Sequence, residues 1–337
     1  MLIRLPFCLV PALLAVYIPM CAPRVQPTAM PWDAHMAEFW RNPENLADRD
    51  LFYGPWGIER APDPHATYTF VSKKRHGTNP GVVVTDPRGR EWQVKQPPHN
   101  DQGAEGPVEV VLSRVLSAVG YHQPPLYFLP SFTMRDATGT HVVPGGRFRL
   151  HTPSLKKAGA WSWQQNPFVG TKPYQGLLVI LVIFESSDLK NVNNSLYEFK
   201  SSSGPAETWY VVRDLGTALG ETARLHPKRG NIDLFERERF ITDVDDQGFV
   251  RFAYRGWHKE LLEHRITPEE AQWAAELLQR LTLDQWMDAF RAGGYDEQVA
   301  RRFIQRLKER IDEAYQVGFS DPHVTLITRP WPQRASR

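Results

Sequence analysis

The chain has 337 residues, which is long for one ordinary domain but is accounted for by two lobes that share a cleft. Forty basic and 38 acidic residues leave a formal net charge of +2. The overall electrostatic field is therefore too weak to attract nucleic acid, and we expect no nucleic-acid partner. A hydrophobic content of 42%, with 11 Trp and 28 Pro, excludes a disordered chain and indicates a filled core with rigid connections.

Residues 1–25 have the pattern of a signal peptide or membrane anchor, because Arg4 precedes an apolar stretch that is interrupted by Pro11 and Pro19. This leader predicts a protein of the cell envelope or a secreted one, attached to the membrane through this segment or through a lipid on Cys21. A true start at Met30 would instead make the protein cytoplasmic. Since Cys8 and Cys21 both lie in the leader, the rest of the chain has no cysteine nucleophile and no thiolate metal site.

Residues 26–65 are rich in Pro, Trp and Asn, and we expect an N-terminal extension that packs on the main body, with a short helix near residues 34–40. Alternation of apolar and polar residues then predicts three strands in a meander. They are Thr67–Val71, Gly81–Thr85 and Arg90–Lys95.

A helix is predicted from about Pro107, because proline is favoured in a first helical turn and a stripe of Val and Leu follows it as far as Gly120. Three further apolar segments, at 126–129, 141–143 and 147–150, complete a small antiparallel sheet. Strands with one helix would form a first unit over residues 66–165.

Lys172–Ile183 is apolar nearly all round, which is typical of a helix buried inside a larger unit. The Ser- and Gly-containing segment 201–205 joins two apolar runs into a hairpin. Farther on, Thr267, Thr282 and Asp296 each stand at the start of a predicted helix, two of them with capping-box chemistry. We expect a mainly helical unit over residues 166–320 and a tail over 321–337.

Two short polar motifs frame the hairpin. Asp188-Leu-Lys-Asn-Val-Asn193 follows the buried helix, and Asp214-Leu-Gly216 follows the second apolar run. In order and spacing they resemble the catalytic loop and the metal-binding loop of protein-kinase-like phosphotransferases. Leu215 replaces the usual Phe of the second motif, as a core residue could.

The resemblance implies a role for each polar residue of these motifs. Asp188 would be the base or would orient the acceptor, and Lys190 would touch the transferred phosphate. Asn193 and Asp214 would hold Mg²⁺. The alternative is that Asp188 only ends a helix in a polar loop and that Asn191, Asn193 and Asn194 are ordinary turn formers.

Lys95 ends the third strand in Trp-Gln-Val-Lys and is similar to the strand lysine of the family's Val-Ala-Ile-Lys motif. The resemblance implies that Lys95 holds the phosphates of ATP and pairs with Glu109 on the helix that follows, with Glu105 as an alternative partner before the helix proper. Gly77 lies in the basic loop 72–81, which would cover the nucleotide. That loop could also be a solvated hairpin tip.

Three departures from ordinary protein kinases favour the atypical branch, which includes HipA-type kinases, phosphatidylinositol 3/4-kinases and secreted Golgi kinases. Ser186-Ser187 replace His-Arg, no Ala-Pro-Glu follows Asp214, and no Gly-x-Gly-x-x-Gly loop is present. Residues 281–295 are also similar to a C-terminal stretch of uncharacterised bacterial kinase-like proteins. The resemblance implies an α+β, two-lobed protein-kinase-like fold, with a small antiparallel β lobe carrying one helix and a larger, mainly helical lobe.

The function implied is an ATP- and Mg²⁺-dependent phosphotransferase whose acceptor is unknown: a small molecule, a lipid head group or a protein. Basic residues of segment 217–258, Arg224, Lys228, Arg229, Arg237 and Arg239, would lie on the acceptor side. Two alternatives stay open. One is a catalytically inactive kinase-like envelope protein that binds a nucleotide, glycan or protein partner, and the other is a nucleotidyl (AMP) transferase that uses the same residues.

Overall fold

The computed structural model describes residues 35–74, 79–97, 104–201, 204–223 and 228–319. The leader with its two cysteines, Gly77, Arg224 and the C-terminal tail are sequence predictions that lie outside these residues. Among the described residues, no helix combines the length and the apolar character that crossing a bilayer requires.

The predicted mixture of α and β structure is confirmed, while the two-lobed arrangement and the domain boundaries stay predictions. The strands of the described residues are β1 (Thr67–Lys73), β2 (Gly81–Thr85), β3 (Glu91–Lys95), β4 (Leu126–Asp136), β5 (Gly139–Leu150), β6 (Leu155–Gly159), β7 (Asn194–Lys200), β8 (Ala206–Val212), β9 (Ile241–Val244) and β10 (Val250–Phe252). Their helices are α1 (Met36–Phe39), α2 (Glu105–Ala118), α3 (Lys172–Ile183), α4 (Ile232–Arg237), α5 (Pro268–Gln279), α6 (Leu283–Ala292) and α7 (Glu297–Val317).

Strands β1 to β5 close into a barrel in the order β1-β2-β3-β5-β4. The expectation of a wholly antiparallel sheet is wrong, because β1 pairs in parallel with β4, with Thr67 opposite Thr133. Closure gives the two edge strands a partner and so leaves no open sheet edge. The separate segments predicted after residue 126 are parts of one long hairpin. Its strands β4 and β5 pair from Leu126 opposite Arg149 to Asp136 opposite Gly139.

Alternation along β3 and β5 decides which side chains leave the barrel. Trp92, Val94 and Phe148 are almost completely buried in the barrel core. Successive side chains of a strand point to opposite faces, so their neighbours lie on the outer face. Cross-strand pairing sets Gln93 beside Arg149 and Lys95 beside Arg147 on that face. These pairs place four polar side chains in one patch.

Helix α2 begins at Glu105, two residues before the predicted start, so Glu105 belongs to the helix and not to the segment before it. The predicted apolar stripe, which includes Val108 and Leu112, packs into the large core formed with the C-terminal helices. Pro107 therefore sits inside the first turn, where its missing N–H leaves no hydrogen bond unmade.

Local signals set the helix boundaries in the second half of the chain. Helix α3 has the bounds read from its apolar run, and every residue from Pro173 to Ile183 is buried. The Glu270 carboxylate accepts a hydrogen bond from the Thr267 N–H at 2.8 Å, and the Asp296 carboxylate accepts one from the Val299 N–H at 2.9 Å. The hairpin β7–β8 is confirmed, and β6 adds a third strand to it.

The described part of the N-terminal extension packs on both the helical core and the small sheet. Trp40 donates a hydrogen bond to the Val119 carbonyl at 2.7 Å, and Gln285 donates one to the Leu46 carbonyl at 2.7 Å. The predicted short helix is α1, and its Phe39 is buried among aromatic rings.

His122 fastens this extension to strand β8. Its ring stacks on Trp209 with centroids 4.4 Å apart, and Nε2 lies 2.8 Å from the Ala37 carbonyl. Because a carbonyl only accepts, Nε2 carries the ring proton. Burial lowers the pKa of His122 to about 4, since the charged form would lose its hydration.

We predict that the protein loses stability as the pH falls from 6.5 to 4. In this pH range His122 takes up a proton in the unfolded chain but not in the folded chain. The free energy of unfolding therefore falls by at most about 3 kcal/mol. Urea unfolding at pH 7 and at pH 4.5 measures it. His122→Gln flattens the pH dependence, whereas the exposed His65→Gln does not; equal pH dependence in the two variants would contradict the assignment.

Candidate active site

Three separate segments meet at the ammonium group of Lys95. Its Nζ forms an ion pair with Glu105 and lies 3.6 Å from Glu109 Oε2 and 3.2 Å from Asp214 Oδ1. The Lys95 side chain is 10% exposed, so these contacts are shielded from water. The structure thus brings Lys95 to both of the glutamates that the sequence offered as partners, and Glu105 is the nearer one.

Other groups neutralise the two glutamates. Arg147 donates a hydrogen bond to Glu109 at 3.2 Å, and Arg229 and Asn79 each contact the carboxylate of Glu105. Arg229 comes from the basic segment predicted on the acceptor side, and Asn79 comes from the loop that contains Gly77. Since both glutamates have a cation besides Lys95, the lysine is not their only counter-ion.

Burial and charge act in opposite directions on this cluster. Burial alone would lower the pKa of Lys95, but the carboxylates of Glu109, Asp214 and Glu105 raise it above its ordinary value. Burial alone would raise the pKa of Asp214, but Lys95, then Arg213 and Arg147, lower it to about 2. Both partners are therefore charged at neutral pH.

The motif Asp214-Leu-Gly216 has a physical reason at each position. Asp214 has φ +53°, a left-handed conformation that strains a non-glycine residue and that turns up at functional sites. Leu215 is buried in the large core and anchors the turn. A Cβ on Gly216 would lie 2.5 Å from the backbone oxygen of Glu105, so only glycine lets the loop approach helix α2.

Backbone hydrogen bonds join the loop of Asp188 to the loop of Asp214. The Arg213 N–H donates to the Asn193 carbonyl at 3.0 Å, and the Ser187 N–H donates to the Thr217 carbonyl at 3.0 Å. The side-chain amide of Asn193 donates to the Asp188 carbonyl at 2.9 Å, which leaves the amide oxygen as the atom able to bind a cation. The two motifs of the sequence are thus neighbours in space.

Lys190 lies beside Asp188. Its Nζ is 2.8 Å from Asp188 Oδ1 and 4.7 Å from the centre of the Trp257 ring, where a cation is attracted to the aromatic face. The backbone N–H of Trp257 donates a hydrogen bond to the Ser187 carbonyl at 2.9 Å, which anchors this residue. Trp257 therefore helps to hold the pair of Asp188 and Lys190 in place.

Oxygen donors for a hard cation are present, but few. Within the described ranges, no group of three or more His, Cys, Asp or Glu side chains could hold a metal ion by itself. Mg²⁺ commonly takes one or two protein oxygens and completes its shell with water and phosphate oxygens. Asn193 and Asp214 supply such a pair, so the residues fit a Mg²⁺ ion that arrives with a phosphate ligand.

Sequence reasoning missed two cations near Asp214. Arg147 and Arg213 received no role, although the alternation of Arg147 and Arg149 with Phe148 already places both of these strand arginines on one face. No sequence pattern revealed that this face turns toward Asp214, because the contact joins residues far apart in the chain.

No protein-family model and no curated protein sequence matches the chain. Three of the solved structures that it resembles are kinases. The Helicobacter pylori proinflammatory kinase CtkA is 13% identical, with 76% of this chain and 98% of that chain covered at a TM-score of 0.36. The Golgi casein kinase is 11% identical, with 86% of each chain covered at a TM-score of 0.35. The Rio2 kinase of Chaetomium thermophilum, solved as an ADP/Mg²⁺-phosphoaspartate complex, is 12% identical, with 73% and 72% covered at 0.30. Likeness at this level transfers no activity to the chain.

We predict that Lys95→Met lowers the free energy of unfolding by about 3 kcal/mol, because removal of one partner leaves buried carboxylates without their shared cation. Chemical denaturation at pH 7 measures the loss. Adding Glu105→Gln to Lys95→Met restores part of it. Lys200→Met, which changes a lysine that is 68% exposed, is the matched control and has little effect. Equal stability of the two single variants would refute the buried cluster.

Gly216→Ala is expected to cost about 2 kcal/mol, because the added methyl group overlaps the backbone of Glu105 and pushes the Asp214 loop away from α2. Urea unfolding again gives the value. Gly159→Ala is the matched control, since its Cβ would meet Leu196 at an ordinary 3.7 Å. A harmless Gly216→Ala would show that the loop does not approach α2 so closely.

Proposed function

We propose that the chain is a phosphotransferase of the protein-kinase-like class that uses a nucleoside triphosphate, with ATP as the expected donor. The observation that carries the proposal is the contact of Lys95 with Asp214, at the place where the Asp214 loop is hydrogen-bonded to the loop of Asp188. Phosphoryl transfer asks a protein for positive charge, for oxygen ligands to a metal ion and for a group that positions the acceptor. Lys95, Asp214 with Asn193, and Asp188 are side chains suited to these three tasks.

In the proposed complex the barrel and the helical core act as two lobes with the nucleotide between them. Lys95 holds phosphate oxygens, and its glutamates keep the ammonium group charged and aimed. Asn193 and Asp214 hold Mg²⁺, which supplies charge neutralisation for the phosphates. Because Arg213 lies next to Asp214, the phosphate groups meet a second cation on that side.

The transfer step places its proton on Asp188. The acceptor hydroxyl donates to the Asp188 carboxylate while its oxygen forms the new P–O bond and the bond from phosphorus to the leaving diphosphate oxygen breaks. Lys190, whose Nζ is 2.8 Å from Asp188 Oδ1, is close enough to contact the phosphoryl group during its transfer. The chemical class of the acceptor is left open among a small molecule, a lipid head group and a protein.

We predict that Mg²⁺ with ATP, at a hundredfold excess over the dissociation constant, stabilises the protein by about 2.7 kcal/mol. Thermal unfolding measures this stabilisation as a rise in the melting temperature. Asp214→Ala abolishes the rise because a metal ligand is lost. Asp188→Asn keeps the rise but removes phosphoryl transfer. Asp243→Ala, at a carboxylate that is 54% exposed, is the control and changes neither. Absence of a shift with every nucleotide at millimolar concentration would refute the proposal.

The position of a radioactive label separates the proposal from its alternatives. Label in the γ-phosphate of ATP reaches the acceptor, or the protein itself, if the reaction is phosphoryl transfer. Transfer of α-label instead would establish a nucleotidyl transferase. Binding of ATP with Mg²⁺ but without transfer of either label would establish the inactive binding protein.

A further inference from the structure

Glu185 connects the end of helix α3 to the loop of Asp188 in a backbone conformation that favours glycine. Its φ is +55°, in the left-handed region, where a side chain strains the backbone. The residue is nevertheless a glutamate, and its side chain is buried. Because a buried carboxylate is unfavourable unless it is paired, the side chain of Glu185 must have a partner inside the protein.

The partner is Arg310 of helix α7, whose side chain is completely buried. Its guanidinium group forms an ion pair with the Glu185 carboxylate and lies over the ring of Phe235, 4.1 Å from the ring centre. The same group donates hydrogen bonds to three backbone carbonyls, those of Ile183 in α3 at 3.1 Å, Phe235 in α4 at 3.1 Å and Glu238 after α4 at 3.0 Å. One side chain therefore joins α3, α4 and α7 at the point where the Asp188 loop begins.

Stability does not by itself explain an ion pair in this position. Burial raises the pKa of Glu185 and lowers the pKa of Arg310, and in each group it outweighs the opposite effect of the partner. Among the described residues, Glu185 Oε2 and Arg310 Nε have no hydrogen-bond partner. Replacing such a pair by uncharged side chains is often neutral or stabilising, so the pair can serve instead to fix one conformation.

The conformation at Glu185 sets the direction in which the chain leaves α3. In the next residues, the Ser186 N–H donates to the Leu181 carbonyl at 2.8 Å and the Ser187 N–H donates to the Thr217 carbonyl at 3.0 Å. Asp188 follows directly. The position of its carboxylate therefore depends on the turn that Glu185 makes and on the contact that holds Glu185 in place.

We propose that Glu185 and Arg310 are positioning residues, which hold the Asp188 loop in a fixed place relative to α4. Helix α4 lies in segment 217–258, the segment that the sequence predicts on the acceptor side. Both side chains are buried, so they act through the backbone of the loop and not by touching nucleotide or acceptor. Their effect on catalysis rests on the proposed function, whereas the placement of the loop does not.

Hydrogen exchange of the full chain, without nucleotide or metal, measures the placement directly. Arg310→Lys keeps a cation next to Glu185, but an ammonium group cannot reproduce the fork of hydrogen bonds that a guanidinium makes. We expect exchange in residues 186–193 to become at least tenfold faster, while exchange in β3 changes less than twofold.

Arg302→Lys is the matched control for this experiment. Arg302 also joins α7 to α4, through Asp233 at 2.7 Å and Glu236 at 2.6 Å, but its side chain is 41% exposed. Its replacement should change exchange in residues 186–193 less than twofold.

A double variant separates positioning from stability. Glu185→Gln combined with Arg310→Met removes both charges and leaves no buried ion without a partner. We expect its melting temperature to stay within about 4 °C of the natural chain, a range typical of small changes in stability. Exchange in residues 186–193 should still be at least tenfold faster. A pair that only stabilises the fold would not give this combination.

Transfer of the γ-label connects the pair to the proposed reaction. Arg310→Lys and the double variant should lower the rate of transfer at least tenfold, while the dissociation constant of ATP with Mg²⁺ changes less than threefold, because Lys95 and Asp214 keep their contact. If the natural chain transfers no label but the variants show faster exchange in the loop, the proposed function is refuted and the placement of the loop is supported.

Four results would overturn the inference. The first is unchanged exchange in residues 186–193 in both variants, and the second is equal acceleration in β3, which would make the pair a general stabilising contact. The third is an equal effect of Arg302→Lys, and the fourth is an unchanged rate of transfer in variants whose loop exchanges faster. If Arg310→Lys does not fold, the double variant decides; its failure to fold would show that the pair is needed for stability and would also overturn the inference.

Discussion

The ammonium group of Lys95 holds together segments that the chain separates by more than a hundred residues, and the geometry of the site follows from it. Because Trp92 and Val94 fill the barrel core, Lys95 is forced onto the outer face of β3. There it meets the first turns of α2 and the Asp214 loop. Carboxylates in a place so poor in water need a cation, so each segment is fixed by the charge of the others.

The same constraint accounts for the features that look unfavourable in isolation. Asp214 holds a strained backbone conformation, and Gly216 leaves no room for a side chain, yet together they bring a carboxylate to Lys95 and a loop against α2. Backbone hydrogen bonds then fix the Asp188 loop relative to the Asp214 loop. The result is a buried cation, oxygen donors and a second carboxylate on loops that are joined in space, and these are the kinds of group that the proposed phosphoryl transfer would use.

The features that were predictable share a local cause. An apolar run gave the bounds of α3, and residues three apart gave the starts of α5, α6 and α7, because a capping side chain bonds to the backbone within its own turn. The errors arose where distant segments decide the structure. Pairing of β1 with β4 closes the barrel in parallel. Helix α2 begins at Glu105, two residues earlier than its proline suggested, and the Glu105 side chain contacts Lys95 and Arg229.

The sequence by itself determined the α+β composition, the helix starts, and the order and spacing of two motifs around a hairpin, since each of these depends on neighbours within a few residues. Only the tertiary structure decided that Glu105 and Glu109 both reach Lys95, that Arg147 neutralises the second of them, and that Arg310 pairs with Glu185. Those contacts depend on how a closed barrel packs against helices and on how the helices pack against one another. Alternation along a strand says which residues share a face, but packing alone says what that face meets.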